Sequence, residues 1–414
     1  MSYFFTDTIT GQVISWNNLI TDVNRLAQFN SYCHTEDYYE VFKSIIISMI
    51  LGREIILLDS DYSKDELVTL TGLSEYEKYN QLFERDENTL ISDKSDLVKK
   101  LRSTNNQWKV TMFTSGTTGV PKRVSHNYES ITRFVKYYEK NYDSVWGFAY
   151  NPTHMAGLQV FMQALLNCNQ IVRLFGMSPD SIKHEIQTKK ITHLSATPTF
   201  YRLLLPFEEE FSSVQRITSG GEKFSDGVMQ ALKDAFPNAK FTNVYASTEA
   251  GTLFASEGDV FTVKPGFESL VKILNNELVI HQNLIASDFN SFNDGWYHTG
   301  DQVEQVSDDP VMFRFVSRIT EMINVGGYKV NPTEVEDTLC MLKGIRQARV
   351  YSKSNSVLGN IVCCEVVCDN QSVGEKSIRT FLSSKLQEFK VPRVIRFVDK
   401  IKMTRTGKVE RNTL

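Results

Sequence analysis

Positions 114 to 123 read Thr114-Ser115-Gly116-Thr117-Thr118-Gly119-Val120-Pro121-Lys122-Arg123, a set of residue types whose spacing can hold phosphate. Gly116 and Gly119 let the backbone turn with its N–H groups pointing inward, the hydroxyls of Thr114, Ser115, Thr117 and Thr118 add donors, and Lys122 supplies a cation. An apolar run, Val110 to Phe113, precedes the stretch and a helical pattern begins near Ser125. This order predicts a strand-to-helix loop followed by a helix over 126–140. The spacing Gly-x-x-Gly-x-Pro-Lys is not that of the common NTPase loop, which has four residues between its glycines and a Gly-Lys-Ser/Thr ending. Taken alone, the stretch also fits an ordinary hydroxyl-rich turn.

Further chemistry-bearing stretches follow in order. Asn151 to Leu158 contains His154; Thr218-Ser219-Gly220-Gly221-Glu222 ends an expected strand with two glycines; Tyr245-Ala246-Ser247-Thr248-Glu249 groups a ring, a hydroxyl and a carboxylate; and Tyr297-His298-Thr299-Gly300-Asp301 presents an aspartate after glycine. Phe313 to Glu336 contains Arg318, Gly326 and Gly327, and Lys402 to Arg411 contains Lys408. Singly these have plain alternatives: His154 as a helix cap, Gly220-Gly221 as a turn, Glu249 and Lys408 as solvated charges.

Together with the 114–123 loop, the series resembles the motifs of the acyl-adenylate-forming (ANL) superfamily, which comprises acyl-CoA synthetases, peptide-synthetase adenylation domains and luciferases. The resemblance runs from position 114 to 408. It implies ATP and Mg²⁺ as cosubstrate and cofactor, a small-molecule carboxylic acid as substrate, and the thiol of coenzyme A or phosphopantetheine as acceptor. By that resemblance Thr114, Ser115, Gly116, Thr117, Thr118, Gly119 and Lys122 hold phosphates. Gly220, Gly221 and Glu222 let the backbone approach adenine, and Tyr245 offers it a stacking face. Thr248 contacts the α-phosphate, Glu249 holds Mg²⁺, Asp301 takes the ribose hydroxyls, and Arg318 touches ribose and phosphate. His154 sits beside the activated carboxylate, Gly326 and Gly327 line the thiol channel, and Lys408 is the catalytic lysine.

The sequence departs from the family pattern at four places, the first being an opening region that is shorter than usual before the phosphate loop. Ser317 stands where glycine is usual, Thr320 stands at the hinge position where aspartate or lysine is commoner, and the segment around Lys408 lacks its leading proline. Peptide-synthetase domains carry an aspartate near Met155 that pairs with the substrate ammonium, and no Asp or Glu occurs from Asn151 to Ala164. The expected reaction is acid adenylation with pyrophosphate release followed by transfer to a thiol. The alternatives are a stand-alone adenylating enzyme that loads an acyl carrier protein, and an inactive nucleotide-binding relative.

The elements that must position these residues follow from periodicity. Strands near 146–150, 170–175, 192–196, 215–219 and 241–245 alternate with helices near 156–167, 179–189, 198–205 and 225–236, which predicts an α/β fold with a parallel-rich sheet. Ligands in such sheets gather at the carboxyl ends of strands. A β subdomain is expected from Val260 through Ile280. Residues 1–317 then form a large adenylate-forming domain, and 318–414 a small, mobile α+β domain carrying Lys408.

Composition narrows the remaining classes. The 414 residues, 41% hydrophobic and 23% charged, suffice for two or three globular cores. The net charge of −4 is dispersed and offers no field for nucleic acid. No apolar run reaches the roughly 18 residues of a membrane span, and the first residues lack a signal-peptide pattern, so a cytoplasmic location is expected. The six cysteines include no Cys-x-x-Cys pair. Cys363, Cys364 and Cys368 fall in a run that reads as a buried strand, where free thiols act as small hydrophobes.

Overall fold

The computed structural model describes residues 2–25, 28–75, 80–82, 90–114, 122–137, 143–220, 226–289, 292–325, 328–355, 359–368, 373–403 and 409–410. Among these residues the strands gather into one eight-stranded sheet, three smaller sheets and a short ribbon. The large sheet runs Gly251–Ser256, Lys240–Ser247, Arg216–Gly220, His193–Ala196, Val145–Phe148, Gln170–Arg173, Tyr3–Asp7 and Gln12–Ser15. Its central pairs are parallel and its two edge strands antiparallel. Parallel strands buried on both faces need apolar side chains throughout, and Phe5, Phe148, Ile171, Val172, Leu194 and Ile217 are all at most 1% exposed.

Helices Met155–Leu165, Pro179–Thr188, Pro198–Leu203 and Asp226–Ala235 connect the parallel strands where the periodicity predicts them. Ser178 and Thr197 cap the second and third of these through their side chains, and Pro179 and Pro198 open them with a preset φ. Helix Met155–Leu165 presses against the preceding loop at Gly157, where an added Cβ would stand 2.2 Å from the Asn151 carbonyl oxygen. Gly157→Ala therefore must displace the loop that holds His154. We expect a stability loss of about 1–3 kcal/mol, the scale of overpacking, seen as a lower urea midpoint at unchanged slope; an unshifted midpoint would contradict this contact.

The segment around the phosphate loop departs from expectation. Lys109–Thr114 is followed not by a helix but by an antiparallel strand, Lys122–Asn127, and the helix expected over 126–140 is the single turn Tyr128–Thr132. Val124, Ser125 and His126 are buried while Lys122 and Arg123 stay exposed. The polar character of Ser125 and His126 hid a strand whose groups are satisfied across the sheet: Thr111 and Ser125 hydroxyls lie 2.7 Å apart. The 115–121 loop thus joins a hairpin whose flanking residues Thr114 and Lys122 face each other. Lys122, at the end of that hairpin, lines the cleft and is a cation available to an anion there.

Beyond the large sheet, Val260–Thr262, Val271–Leu274, Glu277–His281, Trp296–Asp308 and Val311–Arg318 form the expected β subdomain as one antiparallel sheet. After it, Ile323–Val325, Tyr328–Val330, Ile345–Asn355, Gly359–Cys368 and Val394–Phe397 make a sheet covered by helices Pro332–Cys340 and Glu375–Ser383. Cys363 and Cys364 are fully buried in it, the described cysteines are free, and burial pushes the Cys364 thiol up to about 12. This unit touches the parallel sheet's helices where Arg202 approaches Asp337 at 3.6 Å. Among the described residues no helix is long and apolar enough to cross a membrane.

Candidate active site

A cleft of about 1440 Å³ opens at the carboxyl ends of the parallel strands. Thr114 and Lys122 from the hairpin, His154 and Gly220 from the strand ends, Thr248 and Glu249 from a tight turn, and Arg318 all line it. So do Met403, Val409 and Glu410 from the carboxyl-terminal unit. Ser115, Gly116, Thr117, Thr118, Gly119, Gly221, Glu222, Gly326, Gly327 and Lys408 lie outside the described residues, as does the side chain of Thr320. The chain on either side of Lys408 is nonetheless fixed at the cleft: Met403 pairs with Val409 in a β-bridge, and Glu410 N–H donates to Lys402 O at 3.1 Å.

The turn carrying Thr248 and Glu249 joins Lys240–Ser247 to its antiparallel neighbour Gly251–Ser256. It is held from an unexpected direction. His126 Nε2 lies 2.7 Å from the Thr248 carbonyl oxygen, and Nδ1 lies 3.1 Å from Ser130 Oγ. Burial, aided by the charge of Arg133, lowers the His126 ring to about 4 despite the stabilising Thr248 contact, so the ring is neutral at pH 7 and its Nε2–H donates to Thr248 O. Ala286 N–H donates to Glu249 O at 2.8 Å and secures the other side.

A pH dependence follows. The unfolded ring titrates near 6.5, so between about 6.5 and 4 the unfolded chain binds the extra proton, and the stability present in full above 6.5 is lost as pH falls. His126→Gln keeps a donor for Thr248 but cannot titrate. From pH 7 to 5 the wild type should lose about 2 kcal/mol more than this variant, measured by urea unfolding at both pH values; equal losses would mean His126 is not neutral when folded.

Asp301 sits in a β-bulge. The register between Glu277–His281 and Trp296–Asp308 shifts there, and Gly300 adopts φ +70°, a conformation that costs glycine little. The Gly300 N–H donates to Glu277 Oε1 at 2.9 Å and the Asp301 N–H to Thr299 Oγ1 at 3.0 Å. The Asp301 carboxylate, 3% exposed, accepts the Tyr245 hydroxyl at Oδ2 (2.5 Å), and Arg318 Nε lies 2.9 Å from its Oδ1. Burial, with Asp301 beside it, raises the Tyr245 phenol well above its ordinary value and keeps it a donor. The Tyr245 ring packs among Phe254, Phe261 and Phe315 and is 8% exposed. In this arrangement the ring is core and its hydroxyl positions Asp301, whereas the sequence suggested an open stacking face.

His154 occupies the N-cap position of Met155–Leu165 without a side-chain cap bond. Its Nε2 instead lies 3.1 Å from Asp59 Oδ1. Asp59, 4% exposed, follows the buried strand Ile55–Leu58 and also accepts from the Thr153 hydroxyl and from Asn151 Nδ2. No Asp or Glu occurs in the sequence from Asn151 to Ala164, and Asp59 arrives from a separate sheet. Gly220 is required by packing, since a Cβ there would stand 2.5 Å from Val244 Cγ2 on the paired strand.

The cleft suits ATP and Mg²⁺ on chemical grounds. Lys122 and Arg318 supply cations and Thr114 and Thr248 hydroxyls. Mg²⁺ on phosphates ordinarily takes only one or two carboxylates, and Glu249 is a carboxylate in the lining of this cleft.

The model of the family described as AMP-binding enzyme matches residues 48–278, and that of the AMP-binding enzyme C-terminal domain matches residues 334–408. Among curated proteins, Bacitracin synthase 3 of Bacillus licheniformis is 25% identical over 346 residues, 73% of this chain and 5% of that protein. The 3-[(3aS,4S,7aS)-7a-methyl-1,5-dioxo-octahydro-1H-inden-4-yl]propanoyl:CoA ligase of Rhodococcus jostii is 26% identical over 333 residues, 73% of this chain and 64% of that protein. The matched stretch thus spans less than two-thirds of either relative. ATP-bound MatB from Rhodopseudomonas palustris superimposes with a TM-score of 0.73 over 99% of this chain and 94% of that one, at 17% identity, a likeness of fold.

Proposed function

Because this chain belongs to the family of AMP-binding enzymes, we propose that it is an AMP-forming acid–thiol ligase of the acyl-CoA synthetase type. A carboxylate oxygen of the acid bonds to the α-phosphorus of ATP, the bond to the bridging oxygen breaks, and pyrophosphate leaves. The acyl-adenylate then passes its acyl group to a thiol of coenzyme A, releasing AMP. The observation that carries this reading is convergence. The hairpin residues Thr114 and Lys122, the Thr248-Glu249 turn, Arg318 and the residues flanking the Lys408 segment line a single cleft.

In this reading the 114–122 hairpin loop and Lys122 hold the leaving phosphates. Thr248 and Lys408 meet the charge that develops at the α-phosphate, and preorganised donors of this kind usually supply the largest share of catalysis. Glu249 would hold Mg²⁺, which neutralises the phosphate oxygens. Asp301 and Arg318 take the ribose, Gly220, Gly221 and Glu222 border the adenine, and His154, fixed by Asp59, orients the reacting carboxylate. Residues 1–317 act as the ATP- and acid-binding domain, while 318–414 carry Lys408 in and later bring Gly326-Gly327 to the thiol channel by turning near Thr320. A second acceptor, the phosphopantetheine of a carrier protein, is favoured by the similarity to Bacitracin synthase 3. Hydroxylamine trapping over fatty, aromatic, hydroxy, dicarboxylic and amino acids tests the proposal: hydroxamate that needs both ATP and one acid class is expected, and none from any acid would overturn it.

A further inference from the structure

The cleft continues from the strand ends into the space between the large sheet and helix Met155–Leu165. Alternate residues of neighbouring strands line it: His193 and Ser195 on one, Thr218 and Gly220 on the next, Thr242 on a third. Cross-strand pairing sets Ser195 opposite Thr218 and Thr218 opposite Thr242. Three hydroxyl-bearing residues therefore form a row across the sheet, two residues and roughly 7 Å down the strand from Gly220. His193 pairs with Arg216 one pleat deeper, roughly 13 Å from Gly220.

The polar atoms of this wall are not satisfied by the protein. Ser195 is only 5% exposed, and among the described residues no hydrogen bond reaches the side-chain hydroxyl of Ser195, Thr218 or Thr242. His193, also 5% exposed, has Nδ1 2.9 Å from Thr192 Oγ1, while its Nε2 has no partner among the described residues. Burial first, and the charge of Arg216 second, lower the His193 ring to about 4, so at pH 7 it is neutral and offers one donor nitrogen and one acceptor. Arg216, at the same depth, already has an interaction partner. The open polar atoms of the wall are thus those of neutral groups. Buried polar atoms are ordinarily paired, and in a cavity that admits an acid, groups on that acid can pair them. A hydroxyl both donates and accepts, which suits hydroxyls and a neutral imidazole alike. A carboxylate accepts but cannot donate, and a hydrocarbon tail would displace water from these groups and leave them unpaired.

We propose that Ser195, Thr218, Thr242 and His193 are specificity-determining residues that hydrogen-bond an uncharged hydroxyl on the distal part of the substrate, so that the acid activated here is a hydroxy acid with its hydroxyl several bonds from the carboxylate. This rests on the reading of the cleft as an acid-activating site. The test compares ω-hydroxyhexanoate, ω-hydroxyoctanoate and para-hydroxyphenylpropanoate with hexanoate, octanoate and phenylpropanoate, and with the diacids adipate and suberate. Calorimetric binding to the full chain and ATP-dependent hydroxamate formation are both measured. The best hydroxy acid should exceed its unsubstituted match at least tenfold in both, because a site built to bond a hydroxyl rejects the analogue that lacks it. Thr218→Val is nearly isosteric, and the Thr218 backbone is held apart from its side chain by the Tyr201 hydroxyl, which donates to Thr218 O at 2.9 Å. His193→Phe keeps a ring beside Trp146, whose ring centre lies 4.6 Å from that of His193. Each variant should lower the ratio severalfold, and a lowered ratio in either upholds the assignment; Ser195→Ala replaces a variant that fails to fold. An unsubstituted acid preferred in every pair, a diacid preferred to every hydroxy acid, or a ratio unchanged in both variants overturns it. The two proposals fail separately. Binding of a hydroxy acid that depends on Thr218 or His193, without hydroxamate from any acid, would overturn the reaction and uphold the pocket. Hydroxamate formed with no preference for a hydroxyl would uphold the reaction and overturn the pocket.

Discussion

Replacing Lys408 by Ala is expected to slow acyl-adenylate formation by at least about 10²-fold, the scale for removing one preorganised charge donor from a developing oxyanion. Transfer from a supplied acyl-adenylate to the thiol should persist, because that half-reaction expels AMP without a pyrophosphate leaving group to stabilise. The structural basis is the bridge between Met403 and Val409, which fixes both ends of the Lys408 segment at the cleft. Single-turnover measurement of each half-reaction separates the steps. Equal loss in both would assign Lys408 to folding or domain placement.

Asp301→Ala is expected to be nearly as severe, through two routes. It strips the buried Tyr245 hydroxyl of its acceptor and Arg318 of its ion-pair partner. Leaving the phenol unsatisfied costs about 1–3 kcal/mol; Arg318 is half exposed, so solvent screens its share. The proposed ribose contacts vanish as well. Two hydrogen bonds to a charged acceptor, at about 1.5 kcal/mol each, correspond to roughly 10² in kcat/KM for ATP. Tyr245→Phe separates the routes. It removes the phenol while leaving the carboxylate and its Arg318 pair, so stability should fall by about 1–3 kcal/mol for the donor that the buried carboxylate loses, while the KM for ATP changes only modestly. A large KM effect from Tyr245→Phe together with a silent Asp301→Ala would place the nucleotide contact on the tyrosine instead.

The parts of the fold legible in the sequence were those that local pattern encodes. The alternation of apolar runs with stretches of helical spacing marked the strands and helices of the large sheet, and Gly300 marked a sharp turn before Asp301, which the structure shows to be a bulge. Contacts between residues distant in sequence left no such mark. His126 and Thr248 are 122 positions apart, and a lone histidine in a polar stretch looks no different whether it faces solvent or holds a turn. Asp59 ends an ordinary buried strand in a region without motifs, and only the packing of two sheets brings it to His154. The strand Lys122–Asn127 reads in the sequence as the end of a loop and the start of a helix, because its buried polar residues are satisfied across the hairpin, which hydrophobic periodicity cannot register. Tyr245 reads by its type as a stacking face, and its burial among phenylalanines depends on the folding of the β subdomain against the large sheet.

The central claim, that this cleft joins a carboxylic acid to AMP, is tested most directly by identifying the phosphate products. Purified protein incubated with ATP, Mg²⁺ and the best acid of the panel, without any thiol, should release pyrophosphate and retain AMP as an acyl-adenylate. Adding labelled pyrophosphate should return label to ATP in proportion to the acid present. Release of orthophosphate with ADP, or pyrophosphate exchange that proceeds equally without acid, would contradict the account.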